Sequence, residues 1–167
     1  MDLVSRVSKE IDNEIYGYFS ENKNEIAWVK ELYPKQNGYL DVYRHYGLTG
    51  SRSVFAHCVH LEEQEWDCMH QTGSAIAFCP TSNLFLGSGL FPLKKTWDKQ
   101  VKVGLGTDIG AGTSFNQLQT IQEAYKVQQL QGSKLSAFEA LYHATLGGAK
   151  ALDLADKLGN FNLGKEA

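Results

Sequence analysis

The sequence predicts an α/β fold of consecutive βα units around a parallel sheet, and three observations carry that expectation. Short runs rich in β-branched and aromatic residues alternate with longer runs of helical period. The helical runs open on capping residues and close on Gly or Pro, so each unit has its own start and stop. No repeat, low-complexity tract or Pro/Gly/Ser-rich linker divides the 167 residues, which suits one domain with its own core.

The elements follow in order. Asn22 and Glu25 have the spacing of a capping box, so a helix is expected through Ile26, Trp28 and Val29 to about Tyr33, where Pro34 stops it. Tyr39, Val42, Tyr43 and Tyr46 recur at spacings of three and four and mark a second helix, ended by Gly47. Ser53–His57 reads as a buried strand. Glu62, Glu63 and Glu65 put negative charge in the first turn of the next helix, which ends at Gly73. Ser74–Cys79, closed by Pro80, and Val101–Asp108 are two further strands. A helix is expected from Asn116 to about Gln131, and another from Ser136 to about Leu152, opened by a Ser136/Glu139 capping box.

Composition narrows the function classes. Sixteen Lys+Arg against nineteen Asp+Glu leave a formal net charge of -3, without the basic footprint that nucleic acid requires. Apolar stretches such as Val54-Phe55-Ala56 fall far short of the ~20 residues of a membrane span. Met1–Arg6 lacks the apolar region of a secretory signal, so a cytoplasmic setting is expected. The odd, unclustered Cys58, Cys68 and Cys79 suit reduced thiols there.

In a parallel sheet wrapped by helices, chemistry gathers where the βα loops converge, at the C-terminal ends of the strands. His57 closes one strand, Thr81-Ser82-Asn83 follows another, and Asp108 closes a third among Gly104, Gly106, Gly110 and Gly112. A lone strand-end His is first a hydrogen-bonded packing residue, and an Asp in a Gly-rich turn is equally a loop device. Their company at neighbouring strand ends favours a site. The glycine spacing fits neither the dinucleotide fingerprint nor the P-loop. His57-Cys58-Val59-His60 has a zinc-like look, but strand alternation turns His57 and Cys58 to opposite faces and leaves His60 in the following turn, so Cys58 and His60 are expected to face away from the site. Cys68, His70 and His143 read as surface or packing residues, and Glu21 by itself as a solvated first-turn carboxylate.

Six stretches together resemble the amidohydrolase superfamily and, within it, the bacterial guanine deaminases. They are Ser20-Glu21-Asn22-Lys23-Asn24-Glu25-Ile26-Ala27-Trp28-Val29, Phe55-Ala56-His57-Cys58-Val59-His60-Leu61, Phe78-Cys79-Pro80-Thr81-Ser82-Asn83-Leu84, Gly104-Leu105-Gly106-Thr107-Asp108-Ile109-Gly110-Ala111-Gly112, Ala144-Thr145-Leu146-Gly147-Gly148-Ala149 and Gly159–Ala167. The resemblance implies a zinc-dependent aminohydrolase that converts guanine and water to xanthine and ammonia on a (β/α)8 barrel. It implies that Asp108 is a zinc ligand that also takes a proton from the bound water, that Glu21 shuttles protons at the purine ring, and that His57 orients the attacking hydroxide. These three residues are thus the expected catalytic and substrate-binding set, and Asp108 the expected metal ligand. The Ser82-Asn83 turn is expected to scaffold the mouth of the barrel.

The chain departs from the family's pattern twice. No His precedes His45, so the His-x-His ligand pair of the first barrel strand is absent, and Tyr18 stands where the family has a zinc-binding His. The recognisable stretch begins near the fifth strand. The expectation is therefore the C-terminal half of a TIM barrel, about strands five or six to eight with their helices, with a divergent segment over 1–19 and the start of a connection to a truncated β-domain over 159–167. Zinc, the family's cofactor, is expected not to be retained by this chain alone. The expected partners are guanine or a related aminopurine and either a second copy or a separate N-terminal half. The alternative is a non-catalytic remnant.

Overall fold

A computed structural model describes residues 1–11 and 14–166. Helix α1 (Asp2–Ile11) leads to β1 (Ile15–Phe19), α2 (Lys23–Leu32), α3 (Tyr39–His45), β2 (Ser53–His57), α4 (Glu63–Thr72), β3 (Ala75–Phe78), α5 (Pro80–Phe85), α6 (Leu93–Asp98), β4 (Lys102–Leu105), α7 (Gln117–Leu130), α8 (Ala137–Ala144) and α9 (Leu146–Ala151). The strands form one parallel sheet in the order β1-β2-β3-β4, as expected of an α/β fold. Among the described residues no helix is long and apolar enough to cross a membrane.

The sheet has one strand more than the three expected. Segment 1–19 contains α1 and β1, apart from residues 12 and 13, which lie outside the described residues. Gly17 interrupts the β pattern of β1 for a packing reason: a β-carbon there would sit 3.4 Å from the Tyr43 hydroxyl. Gly17 pairs in register with Phe55, Phe55 with Ile76 and Ile76 with Val103, so these four share one face of the sheet. On that face Phe55, Ile76 and Val103 join Trp66, Phe78, Phe91, Leu93, Ala124 and Val127 in the main core, all at most 6% exposed.

The opposite face carries Tyr16 beside Val54 and Ala75, and Tyr18 beside Ala56, Ala77 and Gly104. Small residues on this face let a helix come close: Ala151 and Leu152 close over Val54, Ala75 and Ala77. A β-carbon on Gly104 would lie only 2.8 Å from the Gly148 Cα. Helices α1, α5 and α6 lie outside the expected helical runs, and this contact accounts for the one expected helix that is divided in two. The run from Ser136 breaks at Thr145 (φ -128, ψ -98), and the following α9 turns to seat Gly148 on Gly104. At the far side of the same face Tyr16 and Tyr18 remain 61% and 63% exposed.

The capping boxes at Asn22/Glu25 and Ser136/Glu139 form as expected. Glu65, expected only as first-turn charge, is 5% exposed and caps two helices: Oε2 accepts the Glu62 N–H (2.9 Å) and Oε1 the Leu40 N–H (3.0 Å). Residues 159–166 form turns in which the Glu166 N–H donates to the Lys157 carbonyl (2.9 Å); Ala167 lies outside the described residues.

Two outcomes test this packing. Gly104→Ala forces α9 off the sheet and is expected to lower stability by about 1–3 kcal/mol, read as a fall of several degrees in Tm. His143 is 2% exposed, with Nδ1 donating to the Val103 carbonyl (3.3 Å), and its burial holds the imidazole pKa below the ordinary 6.5. The native state sheds this proton at lower pH than the unfolded chain, so the associated stability is present above 6.5 and is lost as pH falls through that value. Melting curves from about pH 7 to about pH 5 should flatten in His143→Gln relative to the parent.

Candidate functional site

His57 and Asp108, singled out at strand ends, and Glu21, named by the resemblance, meet in space. Glu21 leaves β1 just ahead of α2, its backbone N–H donating to Glu25 Oε2 (2.9 Å), while Glu25 Oε1 accepts from the Tyr39 hydroxyl (2.8 Å). The capping residue of α2 thus also aims Glu21 at the site. His57 ends β2 and is fully buried. Its Nδ1–H donates to Asn83 Oδ1 (2.8 Å) on the first turn of α5. The opposite nitrogen, Nε2, lies 3.8 Å from both Glu21 Oε2 and Asp108 Oδ2 and has no hydrogen-bond partner among the described residues. Asp108 follows β4, and its other oxygen, Oδ1, accepts from the Tyr18 hydroxyl at 3.2 Å. The Tyr18 ring stacks on the His57 imidazole, with centroids 5.2 Å apart. The Asp108 carboxylate beside Tyr18 raises the phenol pKa, which keeps this hydroxyl a donor.

Glu21, His57 and Asp108 therefore form one constellation, as expected, and three further residues belong to it. Asn83 is the direct partner of His57 rather than a remote scaffold. Ser88, between Gly87 and Gly89, donates its hydroxyl to Glu21 Oε1 (2.8 Å). His60, expected to face away, instead donates its Nε2–H to the Ser88 carbonyl (2.8 Å) and so reaches the site's edge. The paired glycines around Ser88 are the local signal of this strap in the sequence. Cys58 is turned into the core with 0% exposure, where burial pushes its thiol pKa up, and Cys79 is pushed to about 12 for the same reason. Burial thus disfavours the thiolate form at both positions.

The donor set does not fit a zinc ion. Among the described residues no group of three or more His, Cys, Asp and Glu side chains is placed to hold a metal. One oxygen of Asp108 is already engaged by a protonated phenol. A catalytic zinc typically needs about three protein ligands, which the described residues do not assemble.

The backbone is strained where these residues sit. Ser20 (φ 47), His57 (φ 70), Cys58 (φ 52) and Asp108 (φ 48) are all left-handed, a conformation that costs roughly 1–2 kcal/mol for a residue with a β-carbon. Four such residues at three strand ends direct side chains that an ordinary strand exit would turn elsewhere. Ser20 adds a buried hydroxyl without a hydrogen-bond partner among the described residues. Ser20→Gly is expected to stabilise the chain by about 0.5–1 kcal/mol in denaturant unfolding while leaving Glu21 in place; a loss of stability would show that the serine is not strained.

The chain is 66% identical over 168 residues to the guanine deaminase of Escherichia coli strain K12, a match that takes in 100% of this chain and 38% of that protein. The solved structure of E. coli guanine deaminase superposes on 99% of the chain with a TM-score of 0.97, using 39% of its own length. A guanine deaminase from C. acetobutylicum, solved with guanine in its active site, is 34% identical with a TM-score of 0.91, over 98% of this chain and 40% of its own. An adenosine deaminase from Xanthomonas campestris, solved with bound zinc, is 27% identical with a TM-score of 0.90, over 99% of this chain and 38% of its own. The chain thus spans well under half the length of these relatives. The model of the Amidohydrolase family matches residues 1–167 throughout, and on that match the chain belongs to the amidohydrolase family.

Proposed function

We propose that this chain is the C-terminal part of a cytoplasmic guanine-deaminase-type barrel, with β1 to β4 as strands five to eight, and that it supplies the proton-handling side of a site for guanine or a related aminopurine. The observation that carries this reading is the convergence of Glu21 Oε2 and Asp108 Oδ2 on the buried His57 Nε2, each at 3.8 Å. Two carboxylates facing one ring nitrogen offer acceptors for the N–H groups of an aminopurine, and a carboxylic acid at Glu21 can return a proton to a ring nitrogen or to departing ammonia. His57, its Nδ1–H committed to Asn83, presents Nε2 to the same point. The reaction of the family, guanine plus water to xanthine plus ammonia, also needs an activated water. The donor set here falls short of that, so the missing ligands lie outside this sequence in this reading. Two imidazoles from there, joined to Asp108, would reach the usual three protein ligands.

One observation favours a second reading, a non-catalytic remnant: the Tyr18 hydroxyl holds Asp108 Oδ1 as a ligand would. The two readings part on a mixing experiment. Alone, the dialysed chain is expected to contain far less than stoichiometric zinc by elemental analysis and to release no ammonia from guanine. Mixed with the part of the E. coli relative that lies outside the matched segment, it should gain zinc and ammonia release, and Glu21→Gln should abolish the release. A mixture that stays inert supports the remnant. Near-stoichiometric zinc in the isolated chain, lost on Asp108→Ala, would overturn both.

A further inference from the structure

The half-buried Ser88 uses all three of its hydrogen-bonding groups, and each reaches a different strand exit. Its hydroxyl donates to Glu21 Oε1 at the exit of β1 (2.8 Å), its carbonyl accepts the His60 Nε2–H at the exit of β2 (2.8 Å), and its backbone N–H donates to the Asn83 carbonyl on the helix that follows β3 (2.9 Å). Asn83 is the residue that holds His57. One serine thus connects two neighbours of the imidazole, Glu21 and Asn83.

The strap is built for this approach. Gly87 (φ 70) and Gly89 (φ 132) take backbone conformations that a side chain resists. A β-carbon on Gly89 would lie 2.9 Å from Val59 Cγ1, so the strap lies flush against the β2 exit. With Oε1 fixed by Ser88, the free oxygen of Glu21 is the one that faces His57.

We propose that Ser88, latched by His60, is a positioning residue that sets the orientation of the Glu21 carboxylate, so that Oε2 alone is presented to the site. The proposal rests on the reading of Glu21 as the proton-transfer group, but its test does not: it reads Glu21 in the ligand-free chain. In protein labelled with 13C at the Glu Cδ, Ser88→Ala should shift the Glu21 resonance and average its side-chain couplings, while Ser88→Thr, which keeps the hydroxyl, should restore the parent signal. His60→Ala should speed exchange of the Ser88 amide, which donates to the Asn83 carbonyl, by about tenfold and move the Glu21 resonance in the same direction, as expected for loss of one hydrogen bond that closes the strap. His60→Gln, which keeps a donor, should do so less. Far-UV circular dichroism and Tm confirm that each variant is folded.

An unchanged Glu21 signal in Ser88→Ala, or equal displacement in Ser88→Ala and Ser88→Thr, overturns the role of the hydroxyl. Unchanged exchange at the strap in His60→Ala overturns the latch. Guanine titrated into the parent chain separately tests the functional reading: Glu21 and His57 resonances that guanine leaves unmoved would keep the strap's role and remove that substrate.

Discussion

The chain leaves β2 through two consecutive left-handed residues, His57 and Cys58, and the rest of the site depends on that bend. It is held by the Cys58 N–H, which donates to the Phe19 carbonyl of the neighbouring strand (2.9 Å), so the sheet itself sets the turn. The bend sends the thiol into the core and stands the imidazole at the convergence of three strand exits. Its neighbours then divide the ring among them. Asn83 holds one nitrogen, Tyr18 covers a face, and two carboxylates approach the other nitrogen. Conformational cost concentrated at such a point persists only where the surrounding structure overdetermines it, which the sheet and the core beneath Phe19 and Phe55 provide.

The supports of the site are ordinary folding devices used a second time. Glu25 closes a capping box and also fixes the backbone of Glu21. Glu65 closes another and ties the start of α4 to the start of α3, at the expense of burying a carboxyl whose pKa rises with desolvation. Groups that begin helices therefore also hold the loops in register with one another.

Much of this is legible in the sequence because it is local. Three strand runs, the Asn22/Glu25 and Ser136/Glu139 boxes, and the strand-end positions of His57 and Asp108 depend on residues within a few places of each other. Strand β1 is not legible, since Gly17 weakens its pattern and only Tyr43, far along the chain, explains the glycine. The break at Thr145 has a local signal in Gly147-Gly148, but its cause, the seating of Gly148 on Gly104, lies on β4 and is hidden in the same way. Ser88 meets Glu21 across 67 residues of sequence, a contact no spacing rule reaches. His60 lies in the turn beyond the bend at His57 and Cys58, where no strand period says which way a side chain points.

The stacking of His143 on Trp97, with centroids 5.9 Å apart and planes 13° from parallel, has an optical consequence. An imidazolium against an indole quenches its emission, whereas a neutral imidazole does so weakly. Trp97 is 40% exposed and Trp28 63%, while Trp66 is sealed in the core at 1%. The three indoles therefore occupy distinct environments, and emission from Trp97 serves as a built-in dye for the charge on a histidine that solvent scarcely touches.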